Sequence, residues 1–504
     1  MKFIINKIRK TLIRFGVVGG MLLAAACGTA EDGEQVGADA GTASGVPDEY
    51  NFRSRFEPTE SSVSYSGQIT RHVLIKGLFD QMESIVDDIN AETLTATTGS
   101  IVARFNFFFE FDGANDGNTP HSISTTPEVL QTTYGELSTK PNLVSKLAGN
   151  DTKTDYKCWN PEKRDDCSES EFTGWSLTGT TTPEGLVRTW FQLAEDNAVA
   201  VQSMNKPRDP DGNVITKYYV TAAGHDLKQL VQKFLLGAIA YSQAMDDYLH
   251  DDVLNKGLKA NNEMPATDGA RYSALEHAWD EGFGYFGGAR NYKLYRDEEV
   301  ARKSGRDEFK LGYHDTNADG KIDLMSEYNF GHSVNAAKRD LGAAEGAKTD
   351  MTQNVITAFL TGRNILANAA GELSADELEL LKAERDVISA NWELAIASTA
   401  LHYINDTLKD MEKAGTSDYN FYDHAKHWSE LKGFALSLQF NPAKKITDSQ
   451  FVTLHDHIGD APALPGSAEF EEYKTSLRSA RSILVDAYNI DARNTGDLVG
   501  EGGW

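Results

Sequence analysis

The residues best spaced for chemistry are Asp315-Thr-Asn317-Ala-Asp319-Gly320-Lys321-Ile322-Asp323. Oxygen donors fall at the first, third and fifth positions, and the glycine at the sixth allows a sharp turn. Lys321 offers a backbone carbonyl at the seventh, and an aspartate stands at the ninth. A hard cation with six to eight oxygen ligands is held in this way. The twelfth position, where such loops carry a bidentate glutamate, is Ser326, and Glu327 follows one residue late. The run predicts a calcium loop with Asp315, Asn317, Asp319, Lys321, Asp323 and Glu327 as its donor set. The competing reading is a solvated Asp/Asn/Gly turn. No clear helix precedes the loop, so it reads as isolated, not as half of an EF-hand pair. Asp112 with Asp116, and Asp209 with Asp211, are sparser versions that read as plain turns.

A second constellation joins two segments, Glu276-His277-Ala-Trp279-Asp280-Glu281 and His427-Trp428-Ser-Glu430. On a helix, His277 and Glu281 share a face, as do His427 and Glu430, and His424 lies three residues before His427. Imidazole and carboxylate converging from two helices can bind iron or zinc. His277, Glu281, His427 and Glu430 are the expected ligands, with Glu276 and Asp280 as acids behind them. The alternative is half-buried histidines and ion-paired acids that serve packing. Gly282-Phe-Gly284-Tyr-Phe-Gly287 matches GxGxxG but follows a helix and sits in no βαβ unit, so a nucleotide site is rejected. The glycines are expected to let a helix end or a neighbouring backbone approach closely. The chain carries no HExxH, GxSxG or GxxxxGK[ST] motif.

The elements that position these residues read as mainly α, an antiparallel helical bundle with minor β and long loops. From Ser374 to Met411, apolar residues recur at spacings of three and four through Leu380, Val387, Leu394, Leu401 and Leu408, opened by a Ser374/Glu377 capping box. Further helices are expected at 66–90, 183–205, 227–249, 271–286, 349–368 and 420–438, with a last one through Phe470, Leu477 and Leu484. Alternation at Ile101–Phe111 reads as a strand, and 112–125 and 150–182 read as loops. The two histidine segments suggest an internal duplication into two pseudo-repeated halves, 50–300 and 346–490. Residues 301–345 would be the calcium-loop connection and 491–504 a flexible tail.

Before Tyr50 the chain is an address. Met1–Arg14 is basic, Phe15–Leu23 is apolar and too short to span a bilayer, and Ala24-Ala-Ala26 precedes Cys27. This resembles a bacterial lipoprotein signal over 1–26, with Cys27 as the lipidated residue; Gly28 implies outer-membrane sorting. Residues 27–49 then form a flexible tether. Cys158 and Cys167 are the remaining cysteines and predict a disulfide closing a surface loop in an oxidising compartment; a metal pair is the weaker alternative. Removal of the signal takes five basic residues and moves the formal charge from −26 to −31. Such a field repels nucleic acid and attracts cations, so no nucleic-acid or nucleotide partner is expected.

Several stretches carry a family resemblance: Tyr50-Asn-Phe, Val63-Ser-Tyr-Ser-Gly-Gln68, residues 229–238, Glu276 to Gly287, Thr361-Gly-Arg363 and His427 to Pro442. Together they resemble the domain-of-unknown-function 4856 family of bacterial lipoproteins, from about residue 50 to 490. The resemblance implies an exported lipoprotein and no defined activity. More distantly, the helical halves are similar to imelysin-like envelope proteins tied to iron uptake, whose motif is GxHxxE. His427 and Glu430 match it, and Ala425 stands where the glycine should be. The expectation is an outer-membrane-anchored metal-binding lipoprotein with a role in iron or metal acquisition, held to the membrane by its lipid and open to an envelope protein partner. Two alternatives stand beside it. One is a metal-dependent hydrolase or peptidase with Glu281 or Glu430 as general base. The other is a calcium-stabilised surface interaction protein.

Overall fold

The helical periodicity is realised in a computed structural model that describes residues 45–139, 141–150, 158–159, 171–176, 180–203 and 206–504. Eleven helices of nine residues or more occur among them. They are α1 (Ser66–Asn90), α2 (Ser100–Phe109), α3 (Pro183–Gln202), α4 (Leu227–Leu235), α5 (Ala274–Phe286), α6 (Gly331–Gly342), α7 (Met351–Asn368), α8 (Ala375–Glu412), α9 (Phe421–Ser437), α10 (Asp448–Ile458) and α11 (Phe470–Tyr488). Helix α4 continues through two π-helical stretches, Leu236–Tyr241 and Gln243–Tyr248. Pairing of extended chain among the described residues is limited to isolated bridges. Cys27 with its signal, and Cys167, lie outside the described residues; Cys158 is buried.

Helix α8 is the spine. The Ser374 side chain accepts from the Glu377 amide at 3.3 Å while Glu377 Oε2 takes the Ser374 amide at 2.8 Å, so the expected capping box opens it. Helices α6, α7, α9 and α11 pack around it. The buried stripe differs from the expected one in the first turns. Leu380 is 58 % and Val387 39 % exposed, while Leu381, Ile388 and Trp392 are fully buried. Two apolar residues stand side by side at each of these turns, and the large Trp392 indole fixes which face meets the core.

Residues 101–111 are helical, not a strand. The free amides at the start of α2 need an acceptor, and Glu195 of α3 supplies one: its carboxylate takes the amides of Gly99, Ile101 and Val102 at 2.7, 2.9 and 3.1 Å. Phe105 and Phe109, four apart, then both pack on Phe191. A cap lying more than ninety residues away leaves no local mark in the sequence.

Val46 to Trp504 form one compact unit that holds both expected halves and the connection between them. Helix α4 of the first half lies along α9 of the second, closely enough that a Cβ on Gly237 just beyond α4 would overlap Ser437. The tryptophan of each histidine segment is buried, in different company: Trp279 Nε1 donates to the Phe359 carbonyl at 2.9 Å, and Trp428 Nε1 to the Tyr473 hydroxyl at 2.7 Å. The 491–504 segment, expected as a flexible tail, is packed. Trp504 is buried, its indole donating to the Arg339 carbonyl at 2.8 Å and its own carbonyl accepting from Asn405 at 3.0 Å.

Candidate functional site

The 315–327 segment is a closed loop. An antiparallel bridge between Tyr313 and Tyr328 ties its ends, and Ala318 and Gly320 turn it with φ of 56° and 80°. Asp315 Oδ1 and Oδ2 accept from the amides of Asp319 (3.1 Å) and Gly320 (2.9 Å). Asn317 Oδ1 also takes the Asp319 amide (3.0 Å), and Asp319 Oδ1 takes that of Lys321 (2.8 Å). Glu327, one place late in the pattern, still reaches the loop: Oε1 accepts from Thr316 N at 2.8 Å and Oε2 from Asp323 N at 2.9 Å. Burial raises its pKa. The loop is anchored at Ile322, fully buried, which exchanges backbone bonds with Glu128 (2.9 Å) and Leu130 (2.8 Å). Asp323 Oδ1 receives Gln131 Nε2 at 2.7 Å, and the Lys321 side chain turns away to Glu128 at 3.0 Å. The donor set is entirely oxygen, the chemistry of a hard cation. Its carboxylates are turned to the loop's own amides, and among the described residues no three His, Cys, Asp or Glu side chains converge as a metal-ligand group.

Helix α5 starts at a Ser273/Glu276 capping box. Glu276 and Asp280, expected to support a metal, instead bind a cation of the chain itself. Arg363 donates through Nη1 to Glu276 Oε1 and through Nε to Asp280 Oδ1, both at 2.9 Å, and all three side chains are fully buried. The Tyr50 hydroxyl and the Ser64 amide complete the Asp280 carboxylate at 2.8 and 3.1 Å. His277 Nδ1 lies 3.0 Å from the Ser64 carbonyl and donates to it. Nε2 faces Glu281 Oε1 at 3.7 Å, and Gln68 donates to the same oxygen at 2.7 Å. His277 and Glu281 line a cavity of about 180 Å3 together with Asp247 and Tyr248. The glycines of the GxGxxG run act as expected: Gly284 lies against Tyr65, and Gly287 ends the helix with φ of 84°.

On α9, His427 Nδ1 meets Asp410 Oδ2 at 2.6 Å. Burial pulls the imidazole down, but the Asp410 hydrogen bond and charge prevail and its pKa is raised. Glu430 Oε1 accepts from the Tyr403 hydroxyl at 2.9 Å and lies 3.4 Å from Lys233 Nζ, while Oε2 is buried without a partner. The two histidine–acid pairs share no partner, and His277, Glu281, His427 and Glu430 are not gathered into one ligand group. Sequence reasoning missed Arg363 as the counter-ion of α5, Asp410 as the partner of His427, and Lys233. Of the three only Arg363 carried a mark, a lone charge among Phe359, Leu360 and Leu366 on its helix.

The molecule is thus a helical protein of buried ion networks with one oxygen-rich loop at its surface. The model of the family described as Domain of unknown function (DUF4856) matches residues 208–458, and the chain belongs to that family. The matched stretch takes in the loop, α5, Arg363 and α9, and is narrower than the likeness expected over 50–490. No curated protein and no solved structure matches the chain. Among the described residues no helix is long and apolar enough to cross a membrane.

Proposed function

We propose that this chain is a calcium-stabilised, outer-membrane-anchored lipoprotein that binds a partner or small ligand and does not turn over a substrate. The supporting observation is the 315–327 loop. Its oxygen side chains wrap a Gly320 turn, and Ile322 ties it to residues 128–130. A bound calcium would draw on Asp315, Asn317, Asp319, Asp323 and the Lys321 carbonyl, neutralise acids that now lean on backbone amides, and fix the 128–131 segment with the loop. Lipid attachment at Cys27 supplies the anchor in this reading.

His427 and Glu430 are read here as parts of ion pairs. His427 Nδ1 is engaged by Asp410, and Glu430 lies beside Lys233. His277, whose Nε2 lies 3.7 Å from Glu281 Oε1 with both residues on one cavity wall, is the better-formed half of the expected transition-metal site. The test is metal stoichiometry. Residues 28–504, dialysed against calcium, iron and zinc in turn, should retain one calcium per chain by mass spectrometry, and Asp319→Ala should abolish it. Retention of iron or zinc that is lost in His277→Ala, with no calcium bound, would restore the metal-acquisition reading.

A further inference from the structure

A cavity of about 200 Å3 opens at the first turn of α6, lined by Lys76 of α1, Lys233 of α4, Arg302, and Lys338 of α6. Four cations in one small space run against a chain whose formal charge is −26. Two of them are matched: Lys76 holds Asp80 at 2.7 Å, and Lys233 lies 3.4 Å from Glu430. Arg302 donates to the Asn329 carbonyl at 3.0 Å and lies over the Tyr328 ring at 4.9 Å, contacts that leave its charge uncompensated. Among the described residues neither Arg302 nor Lys338 forms an ion pair. Burial, and then the neighbouring Lys233 and Arg339, push Lys338 down to about 8.

The backbone adds to this field. Helix α6 begins at Gly331 without a side-chain cap, and Gly331 and Val334 lie on the cavity wall. Unbonded first-turn amides and the positive end of the helix favour an anion. The cavity is smaller than the roughly 300–1,000 Å3 of pockets for drug-sized ligands, which suits a compact group.

We infer that this cavity binds a compact phosphate-bearing anion, with Arg302 and Lys338 as its principal counter-charges. A phosphate carries enough charge to offset both, and its oxygens suit ammonium, guanidinium and helix-end amides together. The site borders the 315–327 loop at Tyr328 but shares none of its oxygen donors, and it needs no calcium there. The same phosphate chemistry is offered by a soluble monoester and by a phospholipid headgroup.

The experiment is calorimetric titration of residues 28–504 with inorganic phosphate and with glycerol 3-phosphate, in a calcium chelator and at constant ionic strength, beside flotation with phosphatidylglycerol vesicles. Saturable one-to-one binding is expected. Lys338→Met and Arg302→Gln should each weaken it by about tenfold or more, while Lys310→Ala, paired with Asp307 elsewhere, should leave it unchanged. Binding to vesicles alone, sensitive to the same substitutions, would assign the ligand to a headgroup. In the unmodified chain, phosphate should slow acetylation of Lys338, read by peptide mass spectrometry, and leave Lys310 untouched. That readout decides the matter should the variants fail to fold. No saturable binding of any of the three probes, binding that survives both substitutions, or unprotected Lys338 would overturn the inference.

Discussion

Arg363 Nη1 and Glu276 Oε1 meet at 2.9 Å with neither side chain exposed, joining α7 to the capping residue of α5. The same guanidinium takes Asp280 and donates to Ser62 Oγ at 2.6 Å. The acids at this motif therefore hold the fold, and their charge is spent inside the protein.

Removing the arginine should be severe. Arg363→Met leaves Asp280 without its cation and Glu276 with only Arg55 at 3.5 Å, and a loss of about 3–5 kcal/mol is expected from breaking a buried ion network on one side. Arg363→Lys should recover little, because an ammonium cannot serve both acids and Ser62 at once. Adding Glu276→Gln and Asp280→Asn to Arg363→Met should restore part of the loss. Urea denaturation of the four chains checks the order.

Gly362, the neighbour of that arginine, lies against the fully buried Trp279, and a Cβ there would overlap the indole ring. Gly362→Ala should destabilise by about 1–3 kcal/mol by overpacking, although alanine is the better helix former. A fall in melting temperature with unchanged helicity by circular dichroism is the expected result; an unchanged or raised value would mean that the α5–α7 contact is looser than described.

Acid should weaken the protein before its carboxylates titrate. Burial lowers His72 and His424 to about 4 and His332 to about 3. Each stays neutral in the fold while the unfolded chain gains a proton near 6.5. Their contribution is complete above pH 6.5 and is lost as pH falls toward 4 and then 3. Asp226, raised by burial to about 6, works in the opposite sense and offsets part of this. His332 is the most telling, since both ring nitrogens are buried without partners. His332→Phe should raise the urea midpoint more at pH 5 than at pH 7.5.

The His427–Asp410 contact has the reverse pH signature. Its raised imidazole lends stability that is complete below pH 6.5 and disappears as pH rises through the folded value. Asp410→Asn should cost about 1–3 kcal/mol at pH 6 and less at pH 8.5. Histidine NMR titration should show His427 falling in the variant.

Local features were legible in the sequence and long-range ones were not. Helix α1 occupies Ser66–Asn90, the span its periodicity predicts, and the 374–411 seam became α8 with its cap. The 315–327 loop was legible because its donors lie within one short stretch. Arg363 finds its acids 83 and 87 residues away, so no window of the sequence holds the pair. Helix α2 was hidden by a cap from Glu195, and the short helices α6 and α10 went unread. The cationic cavity draws on separate parts of the chain, each with an unremarkable charge.

Calcium at the 315–327 loop is tested by thermal unfolding of residues 28–504 with calcium and with chelator. At calcium about ten times the dissociation constant, binding to the folded state alone adds about 1.4 kcal/mol. The melting temperature should be higher by roughly 1–3 °C in calcium, with no difference between the two conditions in Asp315→Asn or Asp319→Ala. Identical curves for the unmodified chain at millimolar calcium and in chelator would contradict it.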